Sequence, residues 1–373
     1  MTSSVCAPRW PGIDLLRGLT VAVMILVNQW AGVSGLPAWM KHMPANADAM
    51  SFVDMVFPAF LFIVGMSLPF ALQPRLDAAG RAGALRHATE RCAALVVTGL
   101  FMVNAEMAPA GFNGSAWLLA AFAGIFLIWG SVAGGPLLAW PWRTAGGVAL
   151  VALAIVYPGG MGLHWWGILG LIGWAYGLSA LLFIAAPPRL RLALALLGLP
   201  ACVAWFALAA PQVGGGGHAT HTLLVLAGLA SALLLHGPRP HAKATTWALL
   251  FAFLLLGIGF AVRPHWPLSK IYATPSWGLV CAGASLLLYL LLRPVADAAA
   301  GRAAMVVLGD AARHPLLAYL IPYVLAALTT LLPWSWPAAL STGWAGLARG
   351  VLFLAWVLLL LKLLLRTGLR LRL

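Results

Sequence analysis

A small set of polar residues stands in or beside stretches that are otherwise almost wholly apolar: Asp14, Arg17, Asn28, His42, Asp54, Arg91, Asn104 and Lys270, with Trp277 close behind Lys270. These are side-chain types that move protons and hold anions. Each also has an ordinary structural reading. Asp14 and Arg17 are one turn apart and suit an i,i+3 ion pair. Asn28 suits a hydrogen bond to a neighbouring helix, and Asp54 a helix N-terminal acid favoured by the dipole. Arg91 suits a charged anchor at the end of a span that has Asn104 at its other end. His42 suits a solvated loop histidine. Lys270 precedes Ala273-Thr274-Pro275-Ser276-Trp277, a Pro-initiated helix start with an interfacial tryptophan. Against these readings stands the expense of placing an ionisable group at membrane depth, roughly 2.5–3.5 kcal/mol on insertion scales. Groups that persist there are paired or face a cavity.

The elements that must position them follow from composition. Of 373 residues, 63% are hydrophobic and only 8% are charged, whereas a soluble domain carries roughly 25% charge. This excludes a water-facing globule and predicts an all-α, polytopic membrane helix bundle. The net charge of +14 does not mark a nucleic-acid binder, because the basic residues come in ones and twos between apolar runs. Spans are expected near 13–35, 49–73, 88–108, 115–133, 144–160, 165–185, 192–210, 221–236, 246–262, 274–292, 312–333 and 342–365, which gives about 10–12 crossings in a single domain over 1–373. The first is too long for a signal-peptide core and is expected to remain as a span.

Orientation follows from the cations. With a cytoplasmic N-terminus, 18 of the 22 Lys and Arg fall on the cytoplasmic side, and Lys41, Arg263, Lys270 and Arg349 on the other. Both termini are thus expected in the cytoplasm. The loops 37–48, 211–221 and 263–276 then lie outside, with His42, His164, His218, His221 and His265 in outer connections and Gly214–Gly217 as a flexible outer loop. Cys6, Cys92, Cys202 and Cys281 are scattered without metal or disulfide spacing and read as small core residues.

Several of the polar residues belong to one pattern. Ile13-Asp14-Leu15-Leu16-Arg17-Gly18 continues to Val27-Asn28, and a histidine loop leads to Asp54-Met55-Val56-Phe57-Pro58 and on to Gly65-Met66-Ser67. Arg91, Gly99 and Asn104 follow, then Lys270 through Trp277, then Gly309-Asp310 to Tyr319 with Arg313-His314-Pro315 between. This resembles the heparan-α-glucosaminide N-acetyltransferase family, over 9–108 and 263–322. One departure is the loop after His42, where Met43-Pro44-Ala45-Asn46-Ala47-Asp48 replaces the family's Trp-Asn-Gly and His42 lies twelve residues before Asp54.

The resemblance implies acetyl transfer from cytosolic acetyl-CoA to the amine of glucosamine or a glucosamine-containing saccharide, in a bacterial inner membrane, without a metal. It implies His42 as acetyl carrier or general base, Asn28 as oxyanion donor and Asp54 as the group that orients His42 or holds sugar hydroxyls. Asp14, Arg17, Arg91 and Asn104 are expected at the cofactor, with Arg75, Arg81 and Arg86 near its phosphates, and Lys270 and Trp277 at the sugar. Expected partners are the amino sugar and the bilayer, with no nucleic acid, and a homodimer is compatible. The competing readings are an amino-sugar permease, which intramembrane charges would also suit, and a membrane glycan O-acetyltransferase, which commonly carries histidine where this chain has Asn28.

Overall fold

A computed structural model describes residues 10–132, 135–136, 140–209, 215–237, 243–332 and 334–371. Cys6, Arg9, Arg239, Arg372 and positions 211–214 of the expected outer loop lie outside the described residues. The described chain is α-helical almost throughout. Its helices are α1 (Pro11–Trp30), α2 (Val53–Glu106), α3 (Gly114–Trp129), α4 (Trp140–Ile155), α5 (Ile168–Ala185), α6 (Arg191–Ala209), α7 (Gly215–His236), α8 (Ala244–Val262), α9 (Pro275–Asp297), α10 (Ala299–Arg313), α11 (Pro315–Leu331) and α12 (Gly343–Arg366). Three short strands, β1 (Gly130–Val132), β2 (Gly135–Pro136) and β3 (Arg370–Leu371), pair antiparallel in the order β2-β1-β3.

Among the described residues, eight helices are long and apolar enough to cross a membrane, or nine if α10 and α11, bent by 79°, count as one. The chain is a polytopic helical membrane protein. Its outermost helices make the point: on α8, Trp247, Leu250, Phe253 and Leu254 are each more than half exposed. In water that would be a large apolar patch; in a bilayer it meets its proper solvent.

Two boundaries differ from the sequence reading. The runs at 49–73 and 88–108 form one 54-residue helix, α2, about 80 Å long if straight and far more than the ~30 Å hydrocarbon core. Gly80 resolves this with φ 64° and ψ −169°, a break that divides α2 into two limbs. Arg75, Arg81 and Arg86 surround the break and are exposed. The second difference is α10, an amphipathic helix that the sequence reading left as a connection. Its Arg302 and Asp310 interrupt the apolar run, while Val306 and Val307 point outward.

A third difference concerns the glycine run. Gly215–Gly217 are not loop but the first turn of α7, and His218 and His221 are helical, with His221 only 5% exposed. Packing overrides the low helix propensity of glycine here.

The chain divides into two compact units, interleaved in sequence. One comprises 1–20, 42–89 and 174–309, and the other 21–41, 90–173 and 310–373. Inter-loop contacts within each unit join connections that the charge pattern places on one membrane face. In the first, Asp48 meets Arg263 at 2.9 Å. In the second, Ser34 N–H donates to Ser341 O at 3.0 Å, and β3 pairs with β1 between α3 and α4.

In the first unit, the crossing of α2 and α7 is set by a reciprocal glycine pair. A Cβ on Gly65 would lie 1.9 Å from the Val225 carbonyl oxygen, and one on Gly228 would lie 1.9 Å from the Phe62 carbonyl oxygen. Small residues let the two backbones touch, as in other membrane helix pairs. Gly65→Ala should therefore destabilise the purified protein by about 3 kcal/mol or more, at or beyond the upper end of ordinary overpacking. Gly257→Ala on α8, where a Cβ meets nothing within 4 Å, should be neutral or slightly stabilising, by up to ~1 kcal/mol. Thermal unfolding in detergent reads both, and equal midpoints for the two variants would contradict the close crossing.

Candidate active site

The local sequence at the start of α2 dictates how Asp54 is held. Ser51-Phe52-Val53-Asp54 has the spacing of half a capping box, in which an acid three residues into a helix reaches back to the orphan N–H before it. The Ser51 N–H donates to Asp54 Oδ2 at 3.0 Å, the Ser51 hydroxyl donates to the same oxygen at 3.2 Å, and the Met43 N–H adds a third bond at 3.2 Å. Asp54 is 1% exposed. With Oδ2 saturated, Oδ1 has one partner, His42 Nδ1 at 2.7 Å.

That bond fixes the imidazole. An ionised carboxylate can only accept, so Nδ1 carries the hydrogen and the neutral ring presents its lone pair at Nε2. Lys270 Nζ stands 3.0 Å from Nε2 and 3.2 Å from Nδ1. Its donation goes to Nε2, because Nδ1 is already a donor. His42 keeps 41% of its side chain exposed. The result is a fully buried acid, a half-exposed base bonded to it through Nδ1, and an amine against its Nε2.

A second loop delivers Lys270. Asp48 clamps the segment 263–274: Arg263 Nε donates to both carboxylate oxygens at 2.9 Å, and the Leu268 N–H donates to Oδ1 at 2.8 Å. The Ser269 hydroxyl bonds the Ala45 carbonyl at 2.8 Å. Thr274 closes the segment on itself, its hydroxyl donating to Pro267 O at 2.8 Å and its N–H to Ser269 O at 3.1 Å. Ala273, with φ 49°, takes a left-handed conformation that a residue with a Cβ adopts only under surrounding constraint. Burial lowers the pKa of Lys270 below its ordinary 10.5, and the charge of Asp54 opposes that shift in part. Asp48 is held below its ordinary 3.8, first by the Leu268 N–H, with burial opposing the shift and Arg263 adding to it.

The sequence-derived candidates divide by place. His42, Asp54, Lys270 and Trp277 converge in the first unit. Trp277 is not at a sugar face: it is 0% exposed, and its indole N–H donates to the Asp54 carbonyl at 3.3 Å. It braces the acid from behind, with the His221 ring 6.1 Å away edge-on. Asp14 and Arg17 are in the same unit, where Arg17 bonds Asp14 at 3.0 Å and the Ser67 hydroxyl. Ser67 lies thirteen residues beyond Asp54 on α2, about 20 Å along the axis.

Asn28, Arg91 and Asn104 fall in the second unit. Asn28 is exposed. The Asn104 amide is spent on structure: its nitrogen donates to Leu100 O and Gly162 O at 2.8 and 3.0 Å, and its oxygen accepts from Gly162 N at 2.9 Å. It is 1% exposed and fastens the α4–α5 connection, which leaves it no donor for a cofactor.

Sequence reasoning did not single out Ser51, Asp48, Arg263 or Ser67. The Ser-x-x-Asp spacing was a usable signal for the first, but the Asp48–Arg263 clamp spans 215 residues and has no local signature.

A family model described as a domain of unknown function (DUF5009) matches residues 9–137. The match runs from α1 through β2 and so includes Arg17, His42 and Asp54, but neither Lys270 nor Trp277. No curated protein matches the chain.

The clamp has a pH consequence. The Asp48 pKa is depressed on folding, so its contribution to loop closure is complete above 3.8 and disappears as pH falls through the lower folded value. Hydrogen exchange at the Leu268 and Ser269 amides should be slow at neutral pH and accelerate in that acid window. In Asp48→Ala it should be fast at every pH. Protection in Asp48→Ala equal to that of the wild type would remove the clamp from the account.

Proposed function

We propose that the chain is a membrane acyltransferase that moves the acetyl group of acetyl-CoA to the amine of glucosamine or a glucosamine-containing saccharide. The observation that carries the reading is the His42–Asp54 pair with Lys270 at Nε2. A half-exposed imidazole held by a buried carboxylate, with an amine at its accepting nitrogen, is an arrangement suited to acyl transfer. The resemblance of 9–108 and 263–322 to the heparan-α-glucosaminide N-acetyltransferases supports the choice of acyl group and acceptor.

Two routes use the same residues. In the first, Nε2 attacks the thioester carbonyl, the carbon–sulfur bond breaks, and the departing thiolate takes a proton from the Lys270 ammonium. Asp54 balances the positive charge of the acylated ring. The acceptor amine then attacks the acetyl carbon, the bond to Nε2 breaks, and the amine's surplus proton returns to Lys270. In the second, the amine attacks the thioester carbonyl directly, Nε2 takes its surplus proton, the carbon–sulfur bond breaks, and the departing thiolate takes a proton from the Lys270 ammonium. The lowered pKa of Lys270 suits a group that gives and recovers one proton.

The residues present also suit the donor's phosphates. Arg75, Arg81 and Arg86 are exposed around the Gly80 break, while Arg17 is held by Asp14 and Ser67 about 20 Å along α2 from Asp54. The break and the His42 site thus bracket the first limb of α2, a layout that suits an arm-shaped donor whose charged end and reactive end lie far apart. This reading gives the exposed arginines the phosphate contacts and Arg17 a supporting place. Asn104 and Trp277 act in it only as structural braces.

Purified protein with acetyl-CoA and glucosamine should release CoA in an amine-dependent way. His42→Ala should lose about 10²–10⁴-fold, the range for removal of a general base. The rate should fall as Lys270 loses the proton it gives to the thiolate, on a limb that begins below pH 10.5, and Lys270→Met should remove that limb of the profile. Failure of glucosamine and its oligomers to stimulate release would sink the amino-sugar assignment. Full turnover in His42→Ala would sink the mechanism.

A further inference from the structure

Lys270 Nζ stands 3.0 Å from His42 Nε2 and 3.2 Å from Nδ1, and among the described residues it bonds no carboxylate. The ordinary reading of such a lysine is a fixed charge that steadies an anion or holds a substrate. That reading requires the amine to stay an ammonium. The route through an acylated His42 removes this condition once in every cycle, because the departing thiolate takes its proton from Lys270. An acylated Nε2 and a neutral primary amine then face each other before any acceptor has reacted.

Three features favour reaction between them. The amine already touches the nitrogen that carries the acyl group, so a carbon bonded there is within its reach, and attack needs about 3–3.5 Å between the reacting atoms. The loop that carries Lys270 is held on both sides of it: Asp48 bonds the Leu268 N–H, the Ser269 hydroxyl bonds Ala45 O, and the Thr274 hydroxyl bonds Pro267 O. Burial also favours the neutral amine, with Asp54 opposing. The other three lysines stand elsewhere. Lys243 precedes α8 and Lys362 lies on α12, both exposed. Lys41 precedes His42 in sequence, but the bonds of the His42 ring go to Asp54 and Lys270.

We infer that Lys270 is a self-acylation site: when no acceptor amine is bound, the acetyl group on His42 moves to Lys270 Nζ and stays there as an amide. The inference rests on the acetyl-transfer reading for the donor and on the loop geometry for the site. In the step, the Nζ lone pair attacks the acetyl carbonyl carbon, the bond from that carbon to Nε2 breaks, and the ring recovers its electron pair. The surplus proton on Nζ passes to Nε2, which leaves an imidazolium against Asp54. Amines cleave an acyl-imidazole readily and an amide hardly at all, so the transfer runs one way. It also uses up the proton donor for the next thiolate. An acceptor amine protects Lys270 by taking the acetyl group first.

The test uses the purified full chain in detergent, without acceptor, and two acetyl donors: acetyl-CoA, and p-nitrophenyl acetate, which needs no CoA site. Peptide mass spectrometry reads acetylation at each lysine. Lys270 should be labelled at least about tenfold faster than Lys41, Lys243 or Lys362, and His42→Ala should slow its labelling about 10²-fold, the low end of the range for such catalysis. Glucosamine added from the start should slow labelling from acetyl-CoA. Selective, His42-dependent labelling of Lys270 from either donor supports the site. Equal labelling of all the lysines, labelling indifferent to His42→Ala, or no acetyl on Lys270 from either donor would overturn it. So would an acetyl group retained on His42, seen as hydroxylamine-labile mass, beside an unmodified Lys270; that result would leave the acetyl-transfer reading standing. Labelling from p-nitrophenyl acetate alone, or labelling indifferent to glucosamine, would count against that reading and leave the self-acylation site standing.

Discussion

A carboxylate that is 1% exposed at the mouth of a membrane helix must have both oxygens satisfied, because an unanswered buried acceptor costs about 1–3 kcal/mol, and more when it is charged. Asp54 meets this demand in a way that organises everything around it. The N-terminus of α2 supplies partners for Oδ2, which fixes the plane of the carboxylate. His42 takes Oδ1, and that single bond sets both the tautomer and the direction of the imidazole. Trp277 bonds the carbonyl of the same residue, so the first turn of α9 is pinned to the first turn of α2. The two loops that carry His42 and Lys270 are then tied to each other through Asp48 and Ser269.

The helix packing below serves the same end. The Gly65–Gly228 crossing brings α2 and α7 into backbone contact, which leaves α6 and α8 to pack outside on α7 and α9. An inner layer carries the acid and its brace, and α6 and α8 outside it expose apolar side chains with a cleft between them.

Much of this was legible in the sequence, for identifiable reasons. Apolar runs bounded by Arg, Pro and Gly gave most helices within a few residues, because the bilayer leaves no other way to satisfy the backbone. The candidate pair of His42 and Asp54 emerged from resemblance, since they stand twelve positions apart across a partly rewritten loop. The capping geometry that couples them is local and was present in Ser51-Phe52-Val53-Asp54. What escaped was non-local or ran against propensity. Gly80 carries no sign that it, among 40 glycines, breaks a 54-residue helix. Gly215–Gly217 are helical only because tertiary packing makes them so. Trp277 and Asn104 read as ligand contacts because polar or aromatic groups in apolar runs are scarce, yet both are spent on backbone carbonyls that burial would otherwise leave bare.

The central claim is that Asp54 holds His42 with Nδ1 protonated and Nε2 presented as the acceptor. Nitrogen NMR of the protein labelled at histidine, in detergent near neutral pH, reads this directly. The account predicts that the His42 signals, assigned by their loss in His42→Ala, show the Nδ1–H tautomer in the wild type and a shift towards Nε2–H in Asp54→Asn. A wild-type His42 in the Nε2–H form, or a tautomer unaltered by Asp54→Asn, would contradict it.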